Sequence, residues 1–188
     1  MISVLVTRRT GTHRGQIDSD SIVMLGDSIT EQADWMSLLP GRPVVNHGHA
    51  GFTTEQLVPI ADSIGEARPR LVFVLTGTND IRDGQPPEWT AEQLERVLDA
   101  LSRGSTDTGV IVQTILPRAD QPLAVDATNG AVRAVAAERG IRILDLHEAF
   151  DDGAGALRQH ETTDGIHLST DGYRRWASLI NPLVGSDS

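Results

Sequence analysis

The sequence predicts an α/β fold, a three-layer α/β/α arrangement around a five-stranded, mostly parallel sheet. Three observations carry that prediction. Short apolar runs alternate with segments of helical periodicity, the order expected of βαβ units. Several of the runs have no polar alternation, as strands covered on both faces require. The chain has 188 residues, a length that suits one well-buried domain better than two.

The elements follow in order. Met1 to Asp20 reads as an irregular N-terminal leader with a candidate strand at Ile2 to Val6, and a single domain fills 21–188. Ser21 to Leu25 is the first core strand, followed by a helix running through Trp35 and Leu39. Pro43 to Asn46 is the second strand. Leu57, Ile60, Ala61 and Ile64 then stand at i, i+3, i+4 and i+7, one apolar helical stripe. Leu71 to Leu75 is the third strand. Leu94, Val97, Leu98 and Leu101 repeat the helical spacing, and Thr90 with Gln93 offers that helix a capping-box start. Val110 to Ile115 and Ile141 to Leu146 supply the last two strands. Tyr173, Trp176, Ala177 and Ile180 mark the final helix.

Composition narrows the chemistry. The chain is 39% hydrophobic and 22% charged with a net charge of -10, and its arginines are scattered, so no basic stripe invites nucleic acid. There is no cysteine, which excludes disulfides, thiolate nucleophiles and cysteine metal sites. All 16 cationic side chains are arginine, which excludes a phosphate-loop lysine, a Schiff base and a Ser-Lys dyad. No secretory signal pattern or membrane span is visible, so the expected location is cytoplasmic, with no membrane partner.

Ligands bind parallel sheets at the carboxyl ends of the strands; three loops there, and a fourth just before the final helix, hold the chemically interesting residues. The first is Gly26-Asp27-Ser28-Ile29-Thr30, which places a serine N–H at a helix start, where the dipole favours negative charge. Ser28 with Glu31 equally matches a capping box. The second is Asn46-His47-Gly48-His49-Ala50-Gly51, a plain turn or a loop whose glycines bring backbone N–H groups close to a ligand. His47 and His49 could also converge on a metal, although no further ligand stands at a recognisable spacing. In the third, Gly77-Thr78-Asn79-Asp80, Asn79 is either a turn residue or an amide donor for an oxyanion. The fourth is Asp164-Gly165-Ile166-His167, in which a carboxylate three residues before an imidazole can fix its tautomer. His13, His147 and His160 have no such pattern and read as structural or exposed. Taken together, the loops hold a nucleophile, a base, an orienting carboxylate and three oxyanion donors, the inventory of acyl transfer.

In this order and spacing the four blocks resemble the SGNH (GDSL) hydrolase superfamily, from about Ser21 to the final helix. They are most similar to its small bacterial lipase/acylhydrolase members, which are related to platelet-activating-factor acetylhydrolase and carbohydrate O-acetylesterases. The resemblance implies a flavodoxin-like sheet and ester hydrolysis through an acyl-enzyme, with no cofactor and no metal. The segments that could line the pocket, Asp83 to Trp89, Pro117 to Leu123 and Asp151 to Thr163, are short and rich in Pro, Gly, Asp and Gln, which favours short-chain, O-acetyl esters. Ser28 would be the nucleophile, His167 the base and Asp164 its orienting group. Ser28, Gly51 and Asn79 would form the oxyanion hole. Asp27, His49 and Phe52 become pocket candidates, Phe52 standing where many relatives carry Asp. The implied partner is a small ester such as an acetylated sugar, and homo-oligomer formation stays open. A metal-dependent hydrolase built on His47 and His49, or an acyltransferase using the same triad, are the alternatives.

Overall fold

The computed structural model describes residues 15–104 and 106–185. The candidate strand at Ile2 to Val6 and the first fourteen residues of the leader lie outside them. From Gly15 to Asp20 the chain is irregular, but it is not detached: Ile17 packs against the core.

Five parallel strands form one sheet: β1 (Ile22–Gly26), β2 (Val44–Gly48), β3 (Leu71–Leu75), β4 (Gly109–Gln113) and β5 (Arg142–Leu144). Their order is β2-β1-β3-β4-β5, the flavodoxin-like order. The continuous apolar runs now have their reason. In β1 every residue is buried, and alternate side chains enter different cores. Ile22 and Met24 join Phe73, Ile111, Trp35 and Trp176 on one side. Val23 and Leu25 join Val72, Val74, Leu57 and Leu94 on the other.

Helices cover both faces. α3 (Thr54–Ala67), α5 (Pro87–Ser102) and α6 (Pro122–Glu138) lie over the second cluster. α1 (Ser28–Glu31), α2 (Trp35–Leu38), α7 (Leu146–Phe150) and α8 (Thr170–Ile180) lie over the first. The short α4 (Thr78–Arg82) sits at the carboxyl end of β3. Trp35 and Trp176 meet edge to face at 4.8 Å, the geometry the ring quadrupoles favour, and so join α2 to α8. Among the described residues no helix is long and apolar enough to cross a membrane.

Several expectations are corrected. The helix expected through Trp35 and Leu39 is two short helices, because Asp34 caps a second start by accepting from the Ser37 N–H at 3.3 Å. Thr90 and Gln93 do not begin α5. That helix starts one turn earlier at Pro87, where a missing N–H removes no bond, and Gln93 accepts instead from Arg96 at 2.7 Å. β5 stops at Leu144, not Leu146, because Asp145 caps α7 by accepting from the Glu148 N–H. No apolar stripe marked a helix between β4 and β5, yet α6 begins there at Pro122, inside the stretch from Pro117 to Leu123. Its buried face includes Thr128 and Asn129 beside Val125, Val132 and Val135, and this mixed face hid it from the apolar pattern.

Candidate active site

β1, β2 and β3 end side by side, with Gly26 paired to Gly48 on one flank and to Leu75 on the other. The chain folds over this edge because Gly26 and Gly48 have no side chains. A Cβ at Gly26 would strike Thr30 and the Leu75 carbonyl, and one at Gly48 would strike the backbone of Glu31. Asp27 then caps α1, its Oδ1 accepting from the Ile29 N–H at 2.9 Å. The sequence offered that capping role to Ser28. With Asp27 filling it, the Ser28 hydroxyl is available, and it lies 3.0 Å from Nε2 of His167. Four residues make a small dipole, so α1 adds little to the electrostatics at Ser28.

His167 is held from behind. Its Nδ1 is 2.7 Å from Asp164 Oδ2. Asp164 Oδ1 also accepts the His167 N–H at 2.7 Å and the Ile166 N–H at 3.0 Å. Partial burial raises the Asp164 carboxyl, but these hydrogen bonds outweigh it and bring it down to about 2. An ionised acceptor requires the proton on Nδ1, which leaves Nε2 as the lone pair facing Ser28. The loop is pinned by the Thr162 hydroxyl, which donates to the His167 carbonyl at 2.7 Å. The Tyr173 hydroxyl donates to the Ile29 carbonyl at 2.7 Å. That bond ties α8 to α1 and therefore His167 to Ser28.

The loops after β2 and β3 complete the edge. The His49 N–H donates to the Gly26 carbonyl at 2.8 Å. Gly51 has φ +78°, a left-handed conformation that glycine adopts without strain. Asn79, buried near the start of α4, donates from Nδ2 to the Phe52 carbonyl at 2.8 Å. Among the described residues no acceptor takes the N–H of Ser28 or of Gly51. Asp80 is buried beneath and accepts the Thr54 N–H at 3.1 Å. Burial raises its carboxyl.

Of the three pocket candidates, Asp27 and His49 are buried and Phe52 is half-buried. Asp27 is 1% exposed and underlies the serine instead of lining a cleft. Burial pushes its carboxyl up to about 7, against the opposing pull of the Ile29 N–H and His167. His49 is buried too, stacked at 4.8 Å on Phe52, whose ring packs onto the core. The rings of His47 and His49 are 6.2 Å apart, and among the described residues no group of three or more His, Asp or Glu is placed to hold a metal. His147 lies 3.5 Å from Asp126, His160 is exposed, and His13 lies outside the described residues.

Two arginines had escaped the sequence reading. Arg118, almost fully buried after β4, donates to the Thr78 carbonyl at 2.8 Å and so holds the start of α4. Arg82 donates to Asn79 Oδ1 at 2.7 Å. The available signal was their position: Arg118 belongs to a carboxyl-end loop, and Arg82 stands three residues after Asn79 on one helical face. A cavity of about 820 Å³ lies between α2 and α8, lined in part by Gln32, Leu38, Tyr173 and Arg174. None of Ser28, Gly51, Asn79, Asp164 and His167 lines it.

The likeness of nearly the whole chain to acylhydrolases makes the protein an ester hydrolase by class. Residues 24–175 match the GDSL-like Lipase/Acylhydrolase family, and the chain belongs to that family. It is similar to the human platelet-activating factor acetylhydrolase IB subunit alpha1, 26% identical over 194 residues that cover 93% of this chain and 83% of that one. Among solved structures it resembles a GDSL-like lipase from Bacteroides thetaiotaomicron, at TM-score 0.79 and 21% identity, covering 88% of this chain and 87% of that one. It also resembles a carbohydrate esterase family 3 protein from Talaromyces cellulolyticus, at TM-score 0.73 and 21% identity, covering 87% and 95%.

Proposed function

We propose that this acylhydrolase cleaves short-chain carboxylic esters, O-acetyl esters above all, with Ser28 as nucleophile. The observation that carries the reading is the continuous chain of hydrogen bonds from Ser28 Oγ to His167 at 3.0 Å and from His167 to Asp164 at 2.7 Å. His167 takes the hydroxyl proton as Ser28 attacks the ester carbonyl, and Asp164 stays ionised and stabilises the imidazolium. The carbonyl oxygen becomes an oxyanion facing the N–H groups of Ser28 and Gly51 and the amide of Asn79. Such donors act most strongly once the charge has formed. Collapse of the intermediate expels the alcohol, which takes its proton from His167. Water, activated by the same base, then releases the acid and restores Ser28.

The acetyl preference has two supports. The human relative is, by its name, an acetylhydrolase. The side chains hydrogen-bonded to Asn79 and His167 are polar or charged, Arg82 and Asp164 among them. A long acyl chain needs apolar cover, each buried methylene being worth ~0.8 kcal/mol. A small alcohol such as a sugar fits these polar surroundings.

The direct test is covalent labelling. A fluorophosphonate should modify Ser28 stoichiometrically, and Ser28→Ala should lose both the label and turnover of p-nitrophenyl acetate while keeping its circular dichroism spectrum. An adduct mapped to another serine, or a Ser28→Ala variant that still turns over, would overturn the assignment.

A further inference from the structure

We infer that Arg82 is a positioning residue for the oxyanion hole, one that fixes and polarises the Asn79 amide. The inference rests on the reading of Asn79 as an oxyanion donor and extends it to a side chain that touches no substrate. Arg82 and Asn79 lie one helical turn apart on α4. The Arg82 guanidinium donates through Nη1 to Asn79 Oδ1 at 2.7 Å. Its other edge is held by Asp83, through Nε to Oδ1 at 2.7 Å and Nη2 to Oδ2 at 3.1 Å. With two of its nitrogens anchored on Asp83, the guanidinium directs the third at the amide oxygen.

Two consequences follow from amide chemistry. First, the orientation of the amide is set. Its oxygen faces a cation and its nitrogen faces the Phe52 carbonyl at 2.8 Å, so the flipped amide would lose both bonds and set oxygen against oxygen. The group therefore meets an oxyanion with N–H and never with C=O. Second, a cationic donor on the oxygen draws electron density from the nitrogen. Charge-assisted hydrogen bonds are roughly twice as strong as neutral ones, and linked hydrogen bonds polarise one another. The second Nδ2 hydrogen, which the Phe52 carbonyl does not use, becomes the stronger donor. Arg82 lies in the half-exposed rim with its side chain 51% exposed, so the fold does not depend on it as it does on the buried Arg118.

The test compares Arg82→Ala, Arg82→Lys, Asn79→Ala and the Arg82→Ala/Asn79→Ala double variant on p-nitrophenyl acetate, with thermal melts of each. Arg82→Ala should lower kcat by about tenfold, a fraction of the effect of deleting the donor itself, with KM within twofold. Arg82→Lys should recover most of that loss, because the ammonium still meets the amide oxygen. In the Asn79→Ala background, Arg82→Ala should cost nothing further, since no amide remains to polarise. Inhibition by a trifluoromethyl ketone, which forms a tetrahedral oxyanion on the serine, should weaken by the same factor as kcat. A purely structural role would instead lower Tm and add its loss in both backgrounds, and that result would overturn the inference. So would an Arg82→Ala enzyme with unchanged kcat beside a crippled Asn79→Ala. If Asn79→Ala itself kept its turnover, the oxyanion reading would fall and this inference with it.

Discussion

The buried Asp27 should make the stability of the protein fall as pH rises through the range where most carboxylates are already ionised. In the unfolded chain this carboxyl ionises near its ordinary value of 3.8, but in the folded protein burial holds it up to about 7. Between those values the unfolded state gives up a proton that the folded state keeps, so unfolding is favoured by rising pH. The stabilising contribution is fully present below about pH 4 and is lost by about pH 7. Each pH unit in that window is worth about 1.4 kcal/mol, so the whole interval comes to roughly 4 kcal/mol. Asp27→Asn removes the titration but keeps a carbonyl oxygen for the Ile29 N–H. Among the described residues Asp27 Oδ2 has no hydrogen-bond partner, so the new amide N–H groups would be buried unpaired, at a cost that does not vary with pH. Urea unfolding of both proteins at pH 4.5 and pH 8 isolates the titrating part, because the constant cost cancels between the two pH values. The wild type should lose several kcal/mol more than Asp27→Asn between them. A difference below about 1 kcal/mol would refute the reasoning, since Asp27 would then ionise close to its ordinary value.

Asn79→Ala should reduce kcat by ~10²–10³ with a smaller change in KM, because the donor acts on a charge that forms only after attack. Steady-state kinetics on p-nitrophenyl acetate decide it, and retention of most turnover would return Asn79 to the role of a turn residue. Asp164→Asn should cost ~10⁴ in kcat, because an amide cannot hold the His167 proton on Nδ1 as a carboxylate does. A loss under tenfold would show that the imidazole is oriented without it. Across p-nitrophenyl esters from acetate to palmitate, kcat/KM should be highest at the short end, and a maximum at eight carbons or longer would defeat the short-acyl reading.

What the sequence by itself determined was what local order and periodicity can encode. Unbroken apolar runs such as Leu71 to Leu75 required strands covered on both faces. The Leu94 stripe required a helix against that sheet, and the serial order of strand and helix required parallel pairing. The four motif blocks could be read for the same reason: each is a short contiguous string whose chemistry does not depend on distant residues. Element boundaries were less visible, because caps compete with one another. Asp27, not Ser28, begins α1, and Pro87 begins α5 a turn before Thr90. Only the tertiary structure decided which groups meet. It brought Ser28 within 3.0 Å of a histidine 139 residues away, through glycines that let α1 lie on the strand ends and a tyrosine that ties α8 to it. It buried Asp27 and His49, which the sequence had offered to a pocket. It also set Arg82 on the amide of Asn79. Burial and contact between distant segments depend on where the whole chain excludes water, and no local string of residues carries that information.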